Sequence, residues 1–132
     1  MPFKLVVVTP ERVVSDEAVD HVVVPGVEGE FGVLPAHETF LSALRAGIVR
    51  YDVGGRTQRL AVSAGFVEVT GEHVTLLART AERAEEIDSD RATAARARAE
   101  QALQQASVSR EENARLDAAL ARAMARLDAL GK

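Results

Sequence analysis

Hydrophobic and polar positions follow two different patterns along the chain, and the change falls near residue 81. Residues 1–81 contain short apolar or alternating segments separated by glycine and proline, and they hold 17 of the 18 valines. The remaining residues hold 15 of the 23 alanines. Because valine favours a half-buried strand and alanine has the highest helix propensity, the pattern predicts a β part followed by a helical part.

The first part of the chain predicts a series of short strands. Gly54-Gly55 marks a tight hairpin turn between two neighbouring segments, and Gly71-Glu72 marks another turn. Long helical segments do not separate the strands, which disfavours parallel crossover connections and favours an antiparallel sandwich or barrel. The predicted strands are 3–9, 13–14, 19–24, 31–34, 47–53, 59–64, 66–69 and 73–78.

The second part predicts two helices. The first helix begins at Asp88 or Ser89, either of which can cap free amide groups, and runs to about Gln105. A capping box at Ser109–Glu112 starts the second helix, which stops at Gly131. The break between the helices is short, and it therefore predicts an antiparallel helical hairpin.

The second helix has a heptad seam, a row of apolar residues spaced alternately four and three apart. The first helix offers mainly alanine to pack against it. Alanine buries little apolar area, so the seam stabilises the hairpin only modestly. Weakly packed elements are the ones that move, which predicts a mobile hairpin; a hairpin that simply stays folded is the alternative. The seam positions are Leu116, Leu120, Ala123, Leu127 and Leu130.

The length of 132 residues fits one small domain with an appendage. The predicted fold class is α+β, with a β-sandwich domain over 1–84 and a helical hairpin domain over 85–132. The formal charge of −4 disfavours a nucleic-acid partner, because phosphate neutralisation needs a basic surface. The sequence has no cysteine, so it has neither disulfides nor thiolate metal ligands.

The sequence offers no recognisable catalytic constellation. His21, His37 and His73 are not paired at helical spacing, which predicts no metal site. The glycines at 26, 29 and 32 precede no predicted helix and indicate turns rather than a dinucleotide site. A nucleophile elbow and a phosphate-binding loop are also missing from the sequence, which disfavours an enzyme.

Three segments together carry a resemblance to a known family: Pro25–His37 (PGVEGEFGVLPAH), Leu60–Ala78 and Ala84–Ala92. Their order and spacing, followed by the helical tail, resemble the epsilon subunit of bacterial and chloroplast F-type ATP synthases. Ala36 and Ala64 depart from the family, which usually has glycine there. The resemblance implies a flattened ten-stranded sandwich followed by two antiparallel helices.

The resemblance also implies a role in the complex. Such a subunit is a non-catalytic part of the rotor that couples the gamma subunit to the ring of c subunits in proton-driven ATP synthesis. Its tail can extend along gamma toward the alpha and beta subunits and inhibit ATP hydrolysis. The implied location is the cytoplasmic side of the cell inner membrane, with membrane contact only through the complex. Glu30, His37 and Glu38 are the implied c-ring contacts; solvated surface charge is the alternative.

The segment Ile87–Ala92 (IDSDRA) matches a motif of family members that bind ATP in the folded tail. The resemblance implies that Asp88 accepts from adenine or ribose and that Arg91 meets phosphate, with ATP as a regulatory ligand and no required cofactor. Ala123 stands where the family often has lysine. The alternative is that Asp88 only caps the helix. The implied nucleotide site is Glu82, Ile87, Asp88, Arg91, Ala92, Arg98, Arg122 and Arg126.

Two further hypotheses compete with the rotor role. The chain can be a free-standing nucleotide-sensing module whose hairpin is gated by ATP. It can also be an adaptor that uses the seam at 116–130 to pair with a foreign coiled coil. Binding to gamma separates the first hypothesis from the rotor role, and burial of the seam within the monomer removes the second.

Overall fold

A computed structural model describes residues 3–33, 39–105 and 109–131. Ten strands are followed by a 3₁₀ turn at Ala84–Glu86 and two α-helices. No helix in these ranges is both long and apolar enough to span a bilayer. The elements are β1 Phe3–Val8, β2 Val13–Val19, β3 His21–Gly26, β4 Gly29–Val33, β5 Phe40–Leu44, β6 Gly47–Val53, β7 Arg56–Val62, β8 Gly65–Thr70, β9 His73–Ala78, β10 Ala81–Arg83, α1 Ser89–Leu103 and α2 Arg110–Ala129.

The strands form one curled sheet in the order β10-β7-β6-β3-β5-β8-β9-β1-β2, with β4 paired to β3. The two ends of this order meet, because Arg83 Nη2 donates to Val14 O at 2.6 Å and Arg12 Nη2 donates to Ala81 O at 3.3 Å. The result is the predicted sandwich, closed like a barrel. Its strands are not all antiparallel, since β1 pairs with β9 in parallel.

Two strands of the sheet, β5 and β10, were not predicted from the sequence, and the boundary between two other predicted strands was misplaced. β5 carries apolar residues toward both faces, so it lacks the alternation that marks a half-buried strand. β10 has only three residues, too few for a periodic pattern. The predicted segments 13–14 and 19–24 are divided differently in the structure, because β2 runs without a break from Val13 to Val19.

The interior of the sandwich is filled by large side chains. Tyr51, Leu5, Leu60 and Leu76 are fully buried, together with eight valines. Fully burying one such side chain is worth roughly 1.5–3 kcal/mol. The β part therefore has a hydrophobic core of its own, to which the helices are added from outside.

Both helices begin where the sequence predicts. Asp88 Oδ1 accepts from the Arg91 amide at 3.1 Å and caps α1. Ser109 Oγ accepts from the Glu112 amide at 3.1 Å and caps α2. The Glu112 carboxylate contacts Arg115, one turn further along the same helix.

The second helix packs against both α1 and the sandwich. Its Ala125 and Ala129 contact Ala61 of β7, with Ile87 beside them. The heptad positions of α2 are buried or half-buried within the monomer. The adaptor hypothesis needs these positions to be free, so the structure removes it.

Candidate functional site

A cavity of about 330 Å³ lies where β10, the 3₁₀ turn, the start of α1 and the end of α2 meet. This volume falls within the range of small-molecule sites. The cavity, called here the hinge cavity, contains all but one of the residues that the sequence implied for a nucleotide. Its lining is Glu82, Glu86, Ile87, Asp88, Arg91, Ala92, Ala95, Arg98 and Arg126.

Local structure places the motif residues at this cavity. Because Asp88 is the cap of α1, its carboxylate is held at the helix start beside the Arg91 amide. Arg91 and Arg98 are seven residues apart on α1 and thus nearly on one face. In the part of the chain that the structure describes, neither guanidinium forms an ion pair with a carboxylate. Two cationic groups of α1 therefore line the cavity unpaired.

Arg126 reaches the hinge cavity from α2 and is held there by an acid of β10. Its Nε donates to Glu82 Oε1 at 2.6 Å. The two side chains are 29 % and 31 % exposed, so solvent only partly screens the pair. The contact ties the end of α2 to the sandwich across 44 positions of sequence.

Arg122 is the implied nucleotide residue that does not line the hinge cavity. It lies beside Glu82 and Arg126 in a narrow cleft under α2. It also lines a groove of about 390 Å³ between the two helices, where Arg98, Arg115 and Arg126 face it. The structure therefore brings Arg122 next to the site rather than into it.

Glu86 lines the hinge cavity although the sequence did not point to it. Arg12 binds it through two nitrogens, with Nη1 at 2.9 Å from Oε2 and Nη2 at 3.1 Å from Oε1. The Arg83 amide also donates to Oε1 at 3.0 Å. These hydrogen bonds, that from Arg12 first, lower the pKa of Glu86 below its ordinary value against the opposing effect of burial. The 3₁₀ turn is thereby fastened to the residue that precedes β2.

The second implied site is the proposed contact with the c ring, and only part of it falls within the described residues. Glu30 follows the turn at Gly29, where φ is +133°, and its carboxylate lies 3.5 Å from Arg50 Nη2. His37 and Glu38 lie outside the described residues. Glu30 is thus an exposed charge at the start of β4, and its contact with the c ring stays a prediction.

A row of exposed and partly exposed apolar side chains crosses five neighbouring strands. The sequence could not say on which face of the sheet it would lie. Cross-strand partners follow one another from β5 through β8, β9 and β1 to β2. Phe66 is 55 % exposed, Leu77 52 % and Val13 59 %. Leu41, two residues before Ala43 in β5, is also exposed. This surface, called here the apolar row, consists of Ala43, Phe66, Leu77, Val8 and Val13, with Leu41 beside it.

Among the described residues, no group of three histidine, aspartate or glutamate side chains could hold a metal ion. In the hinge cavity, arginines and carboxylates converge, and the arginines suit a ligand that carries anionic groups.

Two protein families match the chain, one for each part. Residues 2–84 match the family described as "ATP synthase, Delta/Epsilon chain, beta-sandwich domain". Residues 85–131 match the family described as "ATP synthase, Delta/Epsilon chain, long alpha-helix domain".

Individual proteins and structures point the same way. The chain is 52 % identical over 127 residues to the ATP synthase epsilon chain of Nitratidesulfovibrio vulgaris (strain DP4), covering 96 % of this chain and 94 % of the other. It is 56 % identical over 100 residues to that of Carboxydothermus hydrogenoformans, covering 76 % and 75 %. A chain in the Euglena gracilis mitochondrial ATP synthase superposes with a TM-score of 0.84 at 25 % identity, covering 99 % of this chain and 82 % of that one. A chain in the Tetrahymena thermophila enzyme has the same fold, with a TM-score of 0.62 at 9 % identity, covering 96 % and 95 %.

Proposed function

The chain belongs to the ATP synthase delta/epsilon chain family, and we propose that it serves as a non-catalytic rotor subunit joining the gamma subunit to the c ring. Family matches over residues 2–131 carry this proposal. The Euglena structure, whose title names an assembly with F1 and the c-ring, supports it. In a bacterial complex the subunit sits on the cytoplasmic side of the inner membrane and meets the membrane only through its partners.

The apolar row is the surface that best fits gamma. Contiguous exposed apolar side chains mark protein interfaces, and this row runs across five strands of a rigid sheet. A stiff, extended contact of this kind resists shear when the rotor turns. Glu30, with His37 and Glu38, is the proposed contact with the polar loops of the c ring.

Copurification with gamma tests this assignment. Phe66→Glu or Leu77→Glu places a charge within the apolar row and is expected to abolish capture of the chain by gamma. Met124→Glu is the matched control, because Met124 is an exposed apolar residue of α2 outside the row. Undiminished capture of Phe66→Glu contradicts the assignment of this surface. A wild-type chain that stays monomeric beside gamma contradicts the rotor role itself and favours the free-standing nucleotide sensor.

A second proposed function is regulation by ATP in the hinge cavity. Ile87 and Ala92 provide apolar contact for adenine, and the Asp88 carboxylate has a second oxygen beyond the one that caps α1. Arg91 and Arg98, which form no ion pair within the described part of the chain, are suited to phosphate oxygens. Arg126 can also contact phosphate if its guanidinium releases the Glu82 carboxylate and binds the phosphate oxygens instead.

The position of the cavity suggests how bound ATP would regulate the conformation of the helical hairpin. Its walls come from β10, α1 and α2, so bound ATP holds both helices against the sandwich. We propose that residues 1–84 and 85–132 are separate domains and that ATP favours the folded hairpin over the extended, inhibitory tail. A ligand that binds only one conformation shifts the population toward it.

Calorimetric titration of the whole chain with ATP tests this function. We expect a micromolar-to-millimolar affinity that Arg91→Ala abolishes. Arg96→Ala is the matched control, since it removes a guanidinium of α1 that pairs with Glu100 rather than lining the cavity. If wild type gives no heat up to millimolar ATP, Asp88 is only a helix cap and the hairpin has another trigger.

A further inference from the structure

A second, larger cavity lies between α2 and the edge of the sandwich. Its volume is about 610 Å³, and it shares no lining residue with the hinge cavity. Arg45 enters from the β5–β6 connection, Arg79 from the β9–β10 connection and Arg122 from α2. Ala118 and Ala121 of α2 face the same space, and their small side chains leave it open. We call this cavity the arginine groove.

The charges in the arginine groove are all of one sign. Three arginines line it, and no lining residue is acidic. Within the described ranges none of the three forms an ion pair. The hinge cavity differs, because three carboxylates accompany its three arginines. A concave surface with uncompensated positive charge concentrates anions.

The parts of the groove that come from the sandwich are held in place by hydrogen bonds. Arg45 Nε donates to Gly26 O at 3.2 Å, which fixes the side chain while its terminal nitrogens remain as donors. Next to Arg79, the Thr80 amide donates to the buried Ser63 hydroxyl at 2.8 Å. A ligand that binds groups already in position loses less conformational entropy on binding.

We propose that the arginine groove binds a phosphate-bearing ligand. Guanidinium forks match the oxygens of a phosphate group. The ligand's phosphate lies among Arg45, Arg79 and Arg122, and the alanines of α2 with the exposed Val27 accommodate an apolar group attached to it. Since two cations belong to the sandwich and one to α2, the anion relieves their repulsion and holds α2 in its folded position. This site does not depend on nucleotide binding in the hinge cavity.

Nuclear magnetic resonance titration of the whole isotope-labelled chain tests the proposal, with inorganic phosphate and phenyl phosphate as probes at constant ionic strength. We expect saturable shifts of the amide signals of Ser63, Arg79 and Thr80. Arg79→Gln is expected to weaken binding about fivefold, since it removes a charge-assisted contact. Arg56→Gln is the matched control, because Arg56 is an exposed arginine outside the groove. Tighter binding of phenyl phosphate identifies an organic phosphate as the ligand class, and equal binding identifies free phosphate.

Three results overturn the proposal. Shifts that grow linearly with both probes, without saturation, show only general ionic effects. Unchanged affinity in Arg79→Gln and in Arg45→Gln, the second variant in case the first fails to fold, removes the groove as the site. Loss of phosphate binding in Arg91→Ala places the anion in the hinge cavity instead.

Discussion

The sandwich and the helical hairpin are held together by different kinds of contact. Inside the sandwich, Leu5, Leu60, Leu76 and Tyr51 are fully buried among valines. Where the hairpin meets the sandwich, the buried cluster consists of alanines. An ion pair between Arg126 of α2 and Glu82 of β10 adds a polar contact beside it. Apolar stabilisation scales with buried area, so the sandwich carries most of the stability of the chain.

The difference shows where ligands can influence this protein. The hinge cavity and the arginine groove both lie where the hairpin borders the sandwich, and there the buried cluster between α2 and β7 consists of small alanine side chains. Elements with few buried apolar contacts open before the rest of a structure. A ligand that bridges such a border can change the population of a conformation without disturbing the core.

The largest expected effect belongs to the core of the sandwich. Leu60→Ala removes a fully buried side chain of β7 and is expected to lower the free energy of unfolding by about 3 kcal/mol. Urea unfolding of the whole chain, followed by circular dichroism, measures it. A loss well under about 1 kcal/mol would contradict the claim that the sandwich carries most of the stability, because the sandwich would then be no better packed than the hairpin.

A smaller and more local effect is expected from the hairpin. Leu116→Ala removes a buried leucine that faces Ala99 and Ala102 of α1. It is expected to lower the free energy of unfolding of the helical hairpin by about 2 kcal/mol and to leave the sandwich unaffected. Hydrogen exchange should accelerate in α1 and α2 while the amides of β6 to β9 keep their rates. Acceleration throughout the chain would show that hairpin and sandwich unfold as one unit.

The ion pair at the border is expected to contribute less again. Glu82→Gln, Arg126→Gln and the double variant form a cycle whose coupling energy is expected to be about 1 kcal/mol or less, since the pair is partly exposed. Chemical unfolding of all four chains gives the value. A coupling energy near zero leaves the alanine contacts alone to hold α2.

The smallest effect concerns pH. The pKa of Glu86 is lowered, so its contribution to stability is present above the ordinary carboxylate pKa of 4.5 and is lost as the pH falls through the lower folded-state value. Arg12→Gln removes the main cause and is expected to raise the pKa of Glu86 toward 4.5. A carbon-13 titration of the Glu86 carboxyl measures both, with Arg56→Gln as the control. An unchanged midpoint in Arg12→Gln would assign the shift to the Arg83 amide.

Parts of the candidate site followed from local sequence. Asp88 and Arg91 belong to one motif within a single helical turn, where capping chemistry is readable. Glu86 was missed because its partner Arg12 lies 74 positions away and nothing near either residue marks the pair. The placement of Arg122 beside the hinge cavity was also unpredictable, since it depends on the rotation of α2 about its axis.

Interactions within a few residues were enough to predict most of the strands, the two helices and their starts, and the change from a β part to a helical part. Periodicity and capping act over one or two turns, so they are written in the local sequence. The tertiary structure decided the order of the strands within the sheet, the parallel pairing of β1 with β9, the apolar row, the hinge cavity and the arginine groove. These depend on which faces pack together across long separations, and that choice is made by the burial of the whole core.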